Sequence, residues 1–246
     1  MHRNFGYVEH PRKQSQRDAM VRNAVFFFVA FLLAAVIGFW PTYFTRMGEM
    51  ASWRVHAHGV ILFGWCLLLI AQAWLIRDRR GAWHRVLGKV SYLLAPLIVL
   101  STLVVEHGVL VKVAGQYNEE ALYFAYVIVA LLTLFVLTYG LAIAHRRTPA
   151  LHMRYMICTA LTMVDPVFAR IVDVRLGIGF GAGQMITYAL VNAILLWLCF
   201  IDRHTQYRVF PKILVAFVLM QLPTFFFYKT AWWSNVVAWF ASLPIP

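Results

Sequence analysis

Between Ala24 and Tyr228 the sequence is a succession of apolar runs separated by short polar turns. Each run is about twenty residues long, the helical length that matches a hydrocarbon layer roughly 30 Å thick. No other feature constrains the fold as much. The chain is 62% hydrophobic and only 13% charged, so it lacks the polar residues to cover a water-facing surface of its size. The predicted class is all-α, a polytopic transmembrane helix bundle of about seven spans. These fall near 24–44, 53–76, 86–113, 121–145, 151–173, 180–201 and 211–228. A basic cytoplasmic tail over 1–23 precedes the membrane domain of 24–228. An aromatic, amphipathic segment over 229–246 follows and is predicted to lie along the interface.

The net charge of +12 would suggest nucleic acid in a soluble protein. Here the cations gather in alternate turns, where they set orientation and meet anionic lipid, and no stacking platform accompanies them. With the N-terminus inside, 16 of the 22 Lys and Arg fall on the inner side. This predicts N-in, C-out. Cys66, Cys158 and Cys199 lie within apolar runs and have no CxxC spacing, which argues against a disulfide framework or a thiolate metal site.

Ionisable groups inside spans are costly, so each is a functional candidate. His58 falls roughly 7 Å inside the outer end of its span. His107, beside Glu106, is predicted at nearly the same depth in the next. Asp165 lies roughly 12 Å and Arg170 roughly 5 Å below the outer end of the fifth. His56 is two residues from His58, so only one of the pair can face a given neighbour. His84, His145 and His152 form an inner-face set at span ends. Gln72, within the second span, reads as an interhelical hydrogen bond. There is no HExxH, GxSxG or P-loop, and no catalytic residue emerges. Asp165-Pro166 is the one candidate break in a span, and GIGFGAG reads as a flexible linker.

Several pieces in order carry a resemblance: HAHG, then WHRVLGKVSY, then LHMRYMICTA ending in DPVFARI. Over roughly Phe39 to Ile171 they are similar to a family of bacterial integral membrane proteins grouped under domain of unknown function 2306. The resemblance implies a multi-pass protein of a bacterial cytoplasmic (inner) membrane and carries no activity. A looser likeness to b561-type cytochromes lies in histidines near opposite ends of neighbouring helices.

Three functional readings follow. In the first, His58 and His107 ligate heme b in the outer leaflet, with His56 beside them and Arg170 on a propionate. Electrons then pass between a quinone or similar reductant and a redox partner. In the second, His58, His107, Glu106 and Asp165 hold a divalent metal that activates water on a lipid-like substrate. In the third there is no cofactor, and the chain is a non-catalytic transporter, assembly or structural protein. A transporter would show paired broken helices.

Overall fold

The computed structural model describes residues 11–49, 52–113 and 116–245. The first ten residues of the basic tail, and Gly115 of the turn expected after the third span, lie outside the described residues. Ten α-helices follow in order and no strand occurs among the described residues. They are α1 (Pro11–Phe39), α2 (Trp53–Arg77), α3 (Gly81–Gly88), α4 (Ser91–Lys112) and α5 (Glu119–Ala144), then α6 (Pro149–Leu161), α7 (Val164–Arg170), α8 (Phe180–Asp202), α9 (Val209–Gln221) and α10 (Ala231–Ala241). A π-helical turn, Ile171–Arg175, extends α7.

Helix ends follow from local chemistry. Pro41 cannot continue α1, which stops at Phe39. Asn118 caps α5, its side chain accepting from the Ala121 amide at 2.9 Å, with Glu119 and Glu120 in the first turn. Part of the tail expected as an arm is helical instead: α1 already starts at Pro11. Proline suits a first helical position, and the Lys, Gln, Arg, Ala and Met that follow are good helix formers. The glycine-rich stretch is also shorter as a linker than expected. Gly177, at φ +65°, turns the chain, while Gly181 and Gly183 belong to α8.

Five helical stretches are long and apolar enough to cross a membrane: Trp53–Arg77, Gly81–Lys112, Glu119–Ala144, Gly181–Ile201 and Val209–Lys229. Asn23–Phe39 is apolar but shorter. The expected fifth span is not one helix but two, α6 and α7. Pro166 has no N–H to give the Thr162 carbonyl, and the chain turns at Thr162 and Met163. The seventh is interrupted too. After α9, Pro223 forces 3₁₀ turns at Leu222–Phe225 and Phe227–Lys229. Large apolar side chains face outward along the helices, as with Val60 at 70% exposure, Leu93 at 63% and Phe200 at 63%. A soluble protein would not tolerate that surface; hydrocarbon suits it, and the architecture is that of a membrane protein.

α5 is central to the packing. Its Leu134 joins a core built with α6, α8 and α9, and its Phe135 joins a second with α2, α4 and α6. Its Tyr126 and Ala130 meet Trp233 and Val237 of α10. α1 lies on α2 and α7, approaching so closely that a Cβ on Gly38 would stand 2.9 Å from the Val167 carbonyl oxygen. α2, α5 and α8 finish, and α3, α6 and α9 begin, at one end, here called the basic end for Arg77, Arg79, Arg80 and Arg85. The opposite, aromatic end carries Trp40, Tyr43 and α10.

At the basic end α6 is fastened to α8 by a buried ion pair. Arg154 donates from Nε to Asp202 at 2.7 Å and from a terminal nitrogen to the other oxygen at 2.5 Å. A third bond goes to the Ala150 carbonyl at 2.7 Å, and the guanidinium lies over the Tyr207 ring. A planar fork matched to a carboxylate holds two helices in fixed rotation. Arg154→Ala should lower stability by about 3–5 kcal/mol, because it leaves Asp202 buried and unpaired. Arg154→Met with Asp202→Leu should recover most of that loss. Thermal unfolding in detergent checks this, and a double variant no better than the single would refute the buried pairing.

Candidate functional site

The groups singled out in the sequence are distributed over three places. At the aromatic end, His58 on α2 turns toward α4 and meets Ser101 Oγ through Nδ1 at 3.1 Å. His107 on α4 points elsewhere: its Nε2 bonds the Leu243 carbonyl at 2.9 Å, and its ring meets Phe240 of α10. Ser101 and His107 are six residues apart, roughly 9 Å and a third of a turn along α4. The two histidines therefore address different neighbours and are not opposed across a common slot. His56 Nδ1 lies 2.9 Å from the Tyr43 hydroxyl. Glu106 is buried and forms no hydrogen bond or ion pair among the described residues. A Cβ on Gly108 would meet the Arg54 guanidinium at 2.9 Å, and Arg54 also reaches the Ile245 carbonyl at 3.5 Å. The end of the chain thus closes over α2 and α4.

Arg170 does not join this group, nor does it pair with Asp165. It lies over the Phe39 ring of α1, 5.6 Å from its centre. Among the described residues no three His, Cys, Asp or Glu side chains converge where they could hold a metal ion, so the set His58, His107, Glu106 and Asp165 is not assembled.

Asp165 organises a different site. It opens α7 just beyond the break, roughly 24 Å along the helical path from Pro149 and roughly 15 Å from Arg175. Its side chain is 4% exposed. One carboxylate oxygen accepts from Gln184 Nε2 at 2.7 Å and lies 3.3 Å from Thr187 Oγ1, whose proton has a nearer acceptor in the Gln184 carbonyl at 2.9 Å; both residues are on α8. Gln184 also donates to Thr187 at 3.0 Å. No cation pairs with it among the described residues. Asp165 borders a small crevice between α5, α7, α8 and α9, with a cavity of about 10 Å³, whose wall includes Tyr188, Met220 and Gln221.

Further polar groups ring that crevice. The Tyr123 and Tyr188 hydroxyls are 3.5 Å apart. Asn192 donates to Gln221 Oε1 at 2.8 Å, and Tyr126 donates to the Met220 carbonyl at 3.1 Å. Thr224 donates to the Gln221 carbonyl. These bonds cluster where α9 gives way to its 3₁₀ turns, because Pro223 leaves backbone carbonyls that side chains can engage. The two interrupted helical stretches, at Pro166 and Pro223, therefore both contribute to one crevice. None of Gln184, Thr187, Tyr188, Asn192 or Gln221 was singled out in the sequence. The available signal was their spacing: Gln184, Thr187, Tyr188 and Asn192 recur at three- and four-residue steps, a polar stripe on an apolar helix.

At the basic end the inner-face histidines separate. His145 donates from Nδ1 to the Leu141 carbonyl at 2.8 Å and packs on Tyr155. His152 reaches the Ala142 carbonyl from Nδ1 at 2.9 Å, and its ring centre stands 6.4 Å from that of His84. The chain matches no family model, no curated protein and no solved structure.

The hydrogen bonds around Asp165 make a stability forecast. Gln184→Leu should cost about 1–2 kcal/mol, and Thr187→Val less, in proportion to their bond lengths. Arg170→Ala and Asp165→Asn should add independently, since no contact joins them. Coupling beyond roughly 0.5 kcal/mol in a double-mutant cycle, read from thermal unfolding, would show an interaction the geometry lacks.

Proposed function

We propose that the protein is a seven-pass transporter of a bacterial cytoplasmic membrane, N-in and C-out, which moves a proton or small cation through the crevice at Asp165. The observation that carries this is a carboxylate within a span that is held only by neutral donors and lies between two interrupted helices. A buried carboxylate that served packing alone would be matched by a cation, as Asp202 is by Arg154. Asp165 instead has Gln184 and Thr187, which orient it without neutralising it. That leaves a negative site able to take a proton or cation and release it. Discontinuous helices in contact supply polar backbone at membrane depth where it borders a cavity. The tyrosines and amides around the crevice would provide further exchangeable partners. The redox and metal-enzyme readings rest on His58 and His107 sharing one ligand, and their observed partners give that no support.

The experiment is flux into liposomes carrying the purified protein and an internal pH dye, with a potassium-diffusion potential as the driving force. Wild type should move protons well above empty liposomes. Asp165→Asn, which keeps size and hydrogen bonding, should fall to background while unfolding at nearly the wild-type temperature. Equal flux in wild type and Asp165→Asn would defeat the proposal, and so would the absence of flux in wild type. Orientation has its own check. A reporter fused after Ile201 should read cytoplasmic and one after Pro246 should read external. Both reading the same side would overturn the seven-span count.

A further inference from the structure

Most hydroxyls among these helices bond a carbonyl of their own turn, as Thr102 does to Ile98 at 2.7 Å and Thr138 to Leu134 at 2.7 Å. A few buried polar atoms have no partner among the described residues. Three of them belong to two neighbouring residues at the basic end: both amide atoms of Gln72 and Nδ1 of His84. Gln72 is on α2 and His84 on α3. The two are neighbours: the His84 ring meets the Gln72 backbone carbonyl, and a Cβ on Gly88, one turn beyond His84, would stand 3.8 Å from Gln72 Nε2 and 3.9 Å from Oε1. His152, on α6, completes the group from the other side, its ring 6.4 Å from that of His84 and nearly perpendicular to it.

From this convergence we infer a transition-metal site, independent of the transport reading, in which His84 and His152 each give one imidazole nitrogen to a divalent ion and Gln72 gives its amide oxygen. The dimensions suit it. A metal–imidazole bond of about 2.1 Å places each ring centre roughly 3.2 Å from the ion. Two rings on one ion then have centres roughly 5 Å apart in a tetrahedral shell and up to roughly 6.4 Å when opposed. The observed separation falls at the opposed limit, and the other contact of the His84 ring, with the Gln72 backbone carbonyl, needs only one of its two nitrogens.

The tautomers also suit it. His152 Nδ1 faces the Ala142 carbonyl and so carries the proton, which leaves Nε2 with a free lone pair. A ring oriented by a backbone carbonyl in this way is the usual state of a metal-binding histidine. Neutral imidazoles and an amide oxygen favour copper, zinc or nickel over calcium or magnesium. All three side chains are half-buried, so water can fill the remaining positions. The cation that bears on His84 is Arg85, whereas Arg80, in the adjoining turn, is already paired with Asp78 at 2.5 Å. His145, committed to Leu141 and Tyr155, is not part of the set and provides the control.

The test is titration of metal-free, detergent-purified protein with Zn(II), Ni(II) and Cu(II), with paramagnetic resonance of the copper form. Wild type should take one ion per chain and show two nitrogen ligands on copper. His84→Gln and His152→Gln should each lose stoichiometric binding, while His145→Gln keeps it. Should either variant fail to fold, the wild-type chain still decides: Zn(II) should raise its unfolding temperature and a chelator should reverse the rise. No stoichiometric binding by wild type, or equal binding by all variants, overturns the site. Uptake of hemin with a two-imidazole spectrum, lost in the same two variants, overturns the bare-ion assignment and makes the pair a porphyrin site.

Discussion

Polar atoms packed among apolar helices must find partners inside the bundle, because the surrounding medium offers none. Most of this structure can be understood as the working-out of that constraint. Serines and threonines return to carbonyls of their own helix. Arg154 and Asp202 neutralise each other and lock α6 to α8. The backbone freed by Pro223 is met by side chains of the crevice wall. Where the constraint is met in an unusual way, chemistry is indicated. Asp165 is satisfied by neutral donors alone, and Gln72 and His84 keep buried atoms unbonded. Both exceptions need groups from several helices, so neither is an accident of one turn.

The two places differ in character. The Asp165 crevice lies deep, between four helices, and depends on two helix interruptions. The Gln72, His84 and His152 cluster lies at the basic end, in reach of water. α5 runs between them: its early residues line the crevice, while Tyr139, farther along, bonds Ser91 beneath α3 at 3.0 Å. A change of packing around α5 would therefore be felt at both. At the aromatic end His107 and Arg54 reach the carbonyls of Leu243 and Ile245, which fastens that segment to α2 and α4.

Much of the fold was legible in the sequence because hydrocarbon thickness fixes helix length. The runs around Trp53–Arg77 and Glu119–Ala144 could hardly be anything but long helices, and both are. The break at Asp165-Pro166 was legible from proline's missing donor. The matching interruption at Pro223 has the same cause but was hidden inside an apolar stretch. Site residues were harder to read. Depth along a span can be counted from its ends, but direction around the helix cannot, since it depends on which helices become neighbours. His58 meets Ser101, roughly 9 Å along α4 from His107, so the two differ in both level and facing. His84 and His152 are 68 positions apart in sequence, and only the fold brings their rings within 6.4 Å. Gln184 and Thr187 were passed over because neutral side chains in an apolar run look like filler until a carboxylate is found opposite.

The central claim is that Asp165, buried and held by neutral donors alone, is a reactive carboxylate at the crevice. Carbodiimide labelling of membranes, followed by peptide mass spectrometry, tests it most directly, because a hydrophobic carbodiimide modifies carboxyls that it can reach from the apolar phase. The account predicts an adduct on Asp165 and none on Asp202, which is enclosed by Arg154. An unmodified Asp165 in membranes where other buried carboxylates, such as Glu106, are labelled would contradict it.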